Sequence, residues 1–409
     1  MSRQSLEREC ARENNENRRV DLVRNQRMDD FWRRSRGNFF ITGDENIYSG
    51  SMYNTKTDSM AQTRRQMLLS AVRNSPDFSR GTLVIIHNDD VLENEMIGMA
   101  GTLNRQLIVI SEQYRNYHLF YKMDIEKILT CFDEVGRMCG YHNMADTDAY
   151  TRAFMEIVEC VYPVSMQSMI ALSRKSDQEI HNIAQSYGVD FNTLQDFDRA
   201  ANTNGRDTFR RILERIRSAL SGITRNDCDT KFNMITACGR NEPPRIILIN
   251  VNSSAPEIFN LYIKHELDEV RGRQISVIID DIPTFKEDGL ISAVRNIARN
   301  QYGAAGLCAG DIFNMADEKD LKGFSTHCIF RHADPGSLET LLNSYGTYRY
   351  AYVQEANALP EGRFFVLMPQ RTYTKAYVEN HPRIMMQDMS FAVLKGHNAE
   401  RPAIVDSLS

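Results

Sequence analysis

The chain has 409 residues, 42% hydrophobic and 25% charged, with 49 Lys and Arg against 54 Asp and Glu for a net charge of -5. That length exceeds what one core usually supports, so two domains, or one large domain with an insertion, are expected. The near balance of charge argues against indiscriminate polyanion binding by the whole molecule, and eight scattered cysteines with no C-x-x-C pair indicate neither a zinc site nor a disulfide framework. They are expected to be reduced, mostly buried thiols. No window approaches the roughly 20 apolar residues of a membrane helix, and the N-terminus has no apolar signal region. The expectation is a cytoplasmic protein without direct membrane insertion, peripheral to a membrane complex if a partner tethers it.

Residues 1–36 read as a polar helical segment. Sparse apolar positions, among them Met28, Phe31 and Trp32, fall near helical spacing on a surface helix that ends in the basic turn Arg33, Arg34, Arg36. The first core strand is Asn38 to Thr42, closed by Gly43 and followed by a helix from Ser59 to Asn74. A glycine turn between strand and helix is where a phosphate loop would sit, because helix N-terminal amides and small residues can wrap an anion. The loop fails the G-x-x-x-x-G-K-[ST] pattern. It offers Gly43, Gly50, Lys56 and Thr57 as candidate nucleotide contacts, while Asp44, Glu45 and Asp58 would repel a triphosphate.

Strands at Thr82 to Ile86 and Gln106 to Ile110, alternating with helices, imply βαβ units and a mostly parallel sheet. His87, Asp89 and Asp90 follow the first of these, where turn and cap chemistry explains them better than metal ligation. From about Met123 to Ile223 strand signals stop and helical patterns take over, ending in a helix rich in arginine (Arg206, Arg210, Arg211, Arg215, Arg217) that reads as a solvated face. The sheet resumes at Arg245 to Val251, and further strands are read at Gly303 to Cys308, His327 to Arg331, Tyr348 to Gln354 and Phe364 to Met368. The fold class is therefore α/β, with an α/β domain over 37–122 and 236–375, an inserted all-α domain over 123–235, and a polar tail over 376–409.

The stretch that organises this layout is Gln274 to Phe285. Ile275, Val277, Ile278 and Ile279 suit a strand buried on both faces, and the run ends on Asp280 and Asp281. That is the form of a Walker B strand, in which the first acid holds a nucleotide's Mg²⁺ and the next polarises the attacking water.

With these segments in order, the chain resembles the ATPase of type IV secretion coupling proteins, the TraG/TraD family of conjugation machines. Ile275 to Phe285 is similar to the family's "DE-hydrophobic-P-T-L" Walker B. Ala298-Arg299-Asn-Gln-Tyr302-Gly303 resembles "R-K-Y-G-I", Ile329 to Gly346 resembles "lR-x-x-D-x-x-T-A-x-x-i-S-x-x-L-G", and Leu359 to Met368 resembles "L-p-x-G-e-x-l-v". The resemblance implies a RecA-like P-loop NTPase sheet with an inserted all-α domain, assembly into a homo-oligomeric ring, partners in the secretion or conjugation machinery, and DNA or protein as cargo.

The departures bear on the chemistry. The Gly-Lys-Thr of Walker A has no counterpart in register, the Walker B glutamate position is the shorter Asp281, and the family's phosphate-sensing glutamine falls near Ala309-Gly310. The leading expectation is a coupling-protein-like component with a degenerate NTPase fold that recruits or scaffolds substrate. The second is an active ATPase, with Lys56 and Thr57 on phosphate, Asp280 on Mg²⁺, Asp281 as water-orienting base, and Arg299 or Arg331 as a finger. The third is a DNA-binding module without nucleotide. ATP with Mg²⁺, or no cofactor at all, are both compatible with these readings.

Overall fold

A computed structural model describes residues 26, 29–33, 38–42, 59–103, 105–225, 231–239, 241–251, 253–280, 289–298, 303–309, 324, 326–329, 363–373 and 378–388. In chain order the first elements are β1 (Phe39–Thr42), α1 (Ser59–Asn74), β2 (Thr82–His87), α2 (Asp90–Met99) and β3 (Gln106–Ile110). A helical run follows: α3 (Ile125–Met138), α4 (Ala145–Val161), α5 (Met166–Ser173), α6 (Asp177–Ser186), α7 (Phe191–Ala201), α8 (Gly205–Ala219) and α9 (Met234–Ala237). Then come β4 (Arg245–Asn250), α10 (Pro256–Val270), β5 (Ile275–Asp280), α11 (Leu290–Ala298), β6 (Ala305–Ala309), β7 (Thr326–Ile329), β8 (Arg363–Tyr373) and β9 (Val378–Asp388). The chain divides into two compact units, Met1–Arg80 with Ala304–Ser409, and Gly81–Gly303.

In the unit Gly81–Gly303 the strands run in the order β3-β4-β2-β5, with every neighbouring pair parallel. All residues of β2 and β5 are buried, which explains their continuous apolar runs: a parallel strand is covered on both faces and shows no alternation. β3 ends the row and is less covered, with only Ile110 fully buried. Gly81 starts β2 at φ +65, where a Cβ would lie 2.4 Å from the Gln274 carbonyl oxygen, so only glycine allows this approach of β2 to the turn before β5.

The helical run sits between β3 and β4, as the strand-free stretch of sequence predicts. Its core is aromatic: Phe132 of α3 stacks on Phe209 of α8 with ring centroids 5.3 Å apart, and Tyr150, Phe154 and Phe197 close around Phe209 and one another. Local chemistry fixes the helix starts. Ser165 and Ser176 form capping boxes with Ser168 and Glu179, and Asp124 and Asp190 cap α3 and α7. The arginine-rich α8 is only partly the solvated face expected. Arg206 bonds Asp177 at 2.7 Å and the Lys175 carbonyl at 2.9 Å, and Arg210 donates to the Ser173 carbonyl, whereas Arg211 and Arg215 are exposed.

In the other unit β1 lies between β6 and β7, parallel to both, and β7-β8-β9 continue antiparallel. Asn38 stitches the start of β1 to both neighbours, its side chain accepting from Ala305 N–H at 2.8 Å and its carbonyl from Thr326 N–H at 3.0 Å. Phe39 pairs in register with Gly306, where a Cβ would come within 2.4 Å of the Phe39 ring, so the small residues of β6 make room for that ring. Trp32 differs from the surface helix expected near it. It is 1% exposed and packs edge-on against Phe39, so the segment before β1 contributes an anchor to the core. β8 extends beyond the strand read at Phe364 to Met368 and pairs along its whole length with β9, which lies in the stretch read as tail. The strand read at Tyr348 to Gln354 lies outside the described residues.

Candidate functional site at the carboxyl edge of the sheet

Open parallel sheets bind ligands outside the carboxyl ends of their strands. In the unit Gly81–Gly303 that edge carries three polar residues in one row: Asn250 of β4, His87 of β2 and Asp280 of β5 are register partners, so their side chains share one face. Asp280 and His87 are 0% exposed and Asn250 is 6% exposed. The residues one step earlier, Ile249, Ile86 and Ile279, are apolar, which confines the polarity to the strand ends.

The helix that follows β2 closes over part of this row. Asp89 caps α2 by accepting from Val91 N–H at 2.9 Å and Leu92 N–H at 3.2 Å, the cap role expected of it. Asn250 Nδ2 donates to Asp90 Oδ1 at 2.8 Å and Glu93 Oε2 at 3.4 Å. His87 Nδ1 accepts from Asp89 N–H at 3.3 Å, which assigns the ring proton to Nε2, 3.9 Å from Glu93 Oε2. Burial lowers the His87 pKa to about 4, overriding the opposing pull of Asp89 and Asp90, so the ring is neutral at physiological pH. The positive end of α2 is thus occupied by the protein's own carboxylates. An anion gains nothing there, and the edge is chemically suited to a cation or to a proton donor.

Of the candidate catalytic and nucleotide-binding residues read from the sequence, Asp280 is the one that lies among the described residues, at the end of β5. Asp281, Arg299, Arg331, Gly43, Gly50, Lys56 and Thr57 lie outside them. Among the described residues no group of three or more His, Cys, Asp or Glu could hold a metal ion. One buried carboxylate is nevertheless the share a protein usually supplies to Mg²⁺, whose remaining ligands are phosphate and water. Asp280, fully buried at the end of β5, fits that share. Asn250 and Glu93 are missed by sequence reasoning; the signal was an amide closing the apolar run of β4 and an acid one turn into α2.

Parallel strands, an acid at the end of a fully buried strand and a helical run between two sheet neighbours define an α/β fold with a helical insertion. No protein-family profile and no curated protein matches the chain. Among solved structures, the bacterial conjugative coupling protein TrwBdeltaN70 matches in its unbound monoclinic form at a TM-score of 0.41 and 9% identity, over 86% of this chain and 77% of that one. Its trigonal form in complex with sulphate matches at 0.48 and 10%, over 86% and 85%. The plasmid coupling protein TrwB in complex with the non-hydrolysable ATP analogue ADPNP matches at 0.40 and 9%, over 80% and 89%. Among the described residues no helix is long and apolar enough to cross a membrane.

Proposed function

We propose that the chain is a coupling-protein-like component of a conjugation or type IV secretion apparatus, built on an NTPase fold whose phosphate loop is degenerate, and that it recruits or scaffolds substrate with little or no hydrolysis. The observation that carries this reading is the conjunction, in one compact unit, of a buried Walker B-type Asp280 and a helical domain inserted between the neighbouring strands β3 and β4. Beside it stands a sequence without the Gly-Lys-Thr that grips the β- and γ-phosphates. The domain limits 37–122 with 236–375, the insertion 123–235, ring assembly, machinery partners and a cytoplasmic place beside a membrane complex belong to the same proposal. Purified protein assayed with Mg-ATP tests it. Turnover near background is expected, and robust Mg²⁺-dependent turnover that disappears in Asp280→Ala would overturn it in favour of an ATPase using Lys56, Thr57 and Asp281.

One observation favours DNA as the cargo. Arg210, Arg211 and Arg215 of α8 line a groove of about 520 Å³ with Tyr141, Cys139 and one acid, Glu214, so three cations and an aromatic ring outweigh a single carboxylate there, a lining suited to a nucleic-acid strand. Such binding is electrostatic, so affinity should fall steeply between low and physiological salt; a flat response would reject this cargo.

A further inference from the structure

The helical insertion leaves the sheet after β3 and returns before β4, and both crossings meet at one buried carboxyl group. Glu266, in the C-terminal half of α10, is 0% exposed. Tyr117, on the outbound crossing, donates to its Oε2, and Tyr262, one turn earlier on α10, donates to its Oε1 at 2.5 Å. Each phenol oxygen in turn accepts a backbone N–H from a crossing: Tyr262 from Phe120 on the way out at 2.9 Å, Tyr117 from Met234 on the way back at 3.0 Å. The crossings are also bound to each other. Asn233 Nδ2 donates to the His118 and Tyr121 carbonyls at 3.2 and 2.7 Å, His118 N–H to Phe232 O at 2.8 Å, and Thr224 Oγ1 to Tyr117 O at 2.6 Å. Phe120 and Lys122 hold φ values of 61° and 60°, a left-handed backbone that bulky side chains avoid. That conformation persists because the surrounding bonds impose it.

We propose that the Tyr117–Glu266–Tyr262 cluster is a proton-sensitive clasp that sets how firmly the helical insertion is held to the sheet within the unit Gly81–Gly303. The inference is independent of whether the chain binds nucleotide. Burial pushes the Glu266 pKa up to about 7, against the opposing pull of the two tyrosines and the Met234 backbone. Burial likewise holds both phenols well above their ordinary range, so they remain neutral donors. Among the described residues Cys238, just beyond α9, also faces Glu266, and burial raises its pKa to about 12 while Arg273 and Arg245 pull it down. Elsewhere on α10, Lys264 and His265 engage Glu134 of α3 at 3.3 and 2.7 Å, and Glu269 lies near Asp124, Lys127, Asp268 and Arg273.

The sign follows from linkage. In a closed clasp Glu266 ionises near 7, and once opened to water it ionises near its ordinary 4.5. Between those values the closed state binds the extra proton, so raising the pH favours opening. The effect approaches tenfold per pH unit midway between the two values and comes to about fortyfold between roughly pH 5 and 7.

Hydrogen exchange of the full chain tests this at the Phe120 and Met234 amides, corrected for the intrinsic pH dependence of exchange, with the Val277 amide of β5 as internal reference. The opening constant at both amides is expected to rise about fortyfold over that range in the wild type and to stay flat in Glu266→Gln. A wild-type opening that ignores pH, or a rise that survives Glu266→Gln, would overturn the proposal. Should Glu266→Gln not fold, Tyr117→Phe decides. Removing a bond that favours the carboxylate must shift the midpoint of the rise upward, and an unmoved midpoint would reject the clasp.

Discussion

Asp280 and Glu266 are both fully buried carboxyl groups of the same compact unit, and they differ in what surrounds them. Asp280 ends a strand, beside a neutral histidine and an amide, at the edge where parallel sheets meet ligands. Glu266 sits within a helix and receives two phenol hydroxyls whose oxygens each hold a backbone amide. The contrast teaches that burial by itself does not mark a functional acid. The partners decide whether a carboxyl group is a fastening of the fold or a residue poised at a site.

Substitution tests that contrast most severely. Glu266→Ala strands two buried phenol donors and leaves a cavity, so a loss on the order of 3 to 5 kcal/mol is expected in denaturant unfolding. Asp280→Asn, which keeps the size of the side chain at the strand end and leaves no cavity, should change stability by about 1 kcal/mol or less. Equal losses for the two would erase the distinction.

The pH dependence of stability sharpens it next. His87, whose folded pKa is depressed from 6.5 to about 4, adds stability that is present above 6.5 and lost as pH falls through 4. Glu266, raised from 4.5 to about 7, adds stability that is present below 4.5 and lost as pH rises through 7. Each is worth on the order of 3 kcal/mol at its limit, with opposite slopes. His327, also lowered to about 4 by burial, has the sign of His87. Wild-type stability should therefore be flatter between pH 4.5 and 6.5 than that of Glu266→Gln, which should rise with pH; parallel curves for the two proteins would show that Glu266 does not titrate there.

The smallest effect is expected on the surface of the insertion. Exchanging the exposed Arg211 and Arg215 for Ala should leave stability within about 0.5 kcal/mol while lowering the salt slope of any DNA binding by roughly one unit per residue. A measurable loss of stability would mean that these arginines support the fold.

Much of the scaffold was legible because its signals are local. The helix α1 and the strand β3 have the limits read for them, and β2, β4 and β5 differ by one residue or less, since a buried parallel strand is written as an uninterrupted apolar run. The insertion was legible as the loss of that pattern. Trp32 was not: a tryptophan amid arginines and acids reads as surface until Phe39 is seen to cover it. Glu266 was hidden for a related reason. Its position on the apolar stripe of α10, between Tyr262 and Leu267, marks an acid that must find partners but does not say where they come from.

The chain's own order of residues determines which segments become strands and helices, places an acid at the end of β5 and excludes an intact Gly-Lys-Thr loop, because propensity, periodicity and motif act over a few neighbouring positions. Tertiary structure alone decides that His87, Asn250 and Asp280 share a face, and that Tyr117 reaches Glu266 across 149 residues. Hydrogen bonds between distant segments, and the burial that shifts an ionisation, exist only once the sheet has brought those segments together.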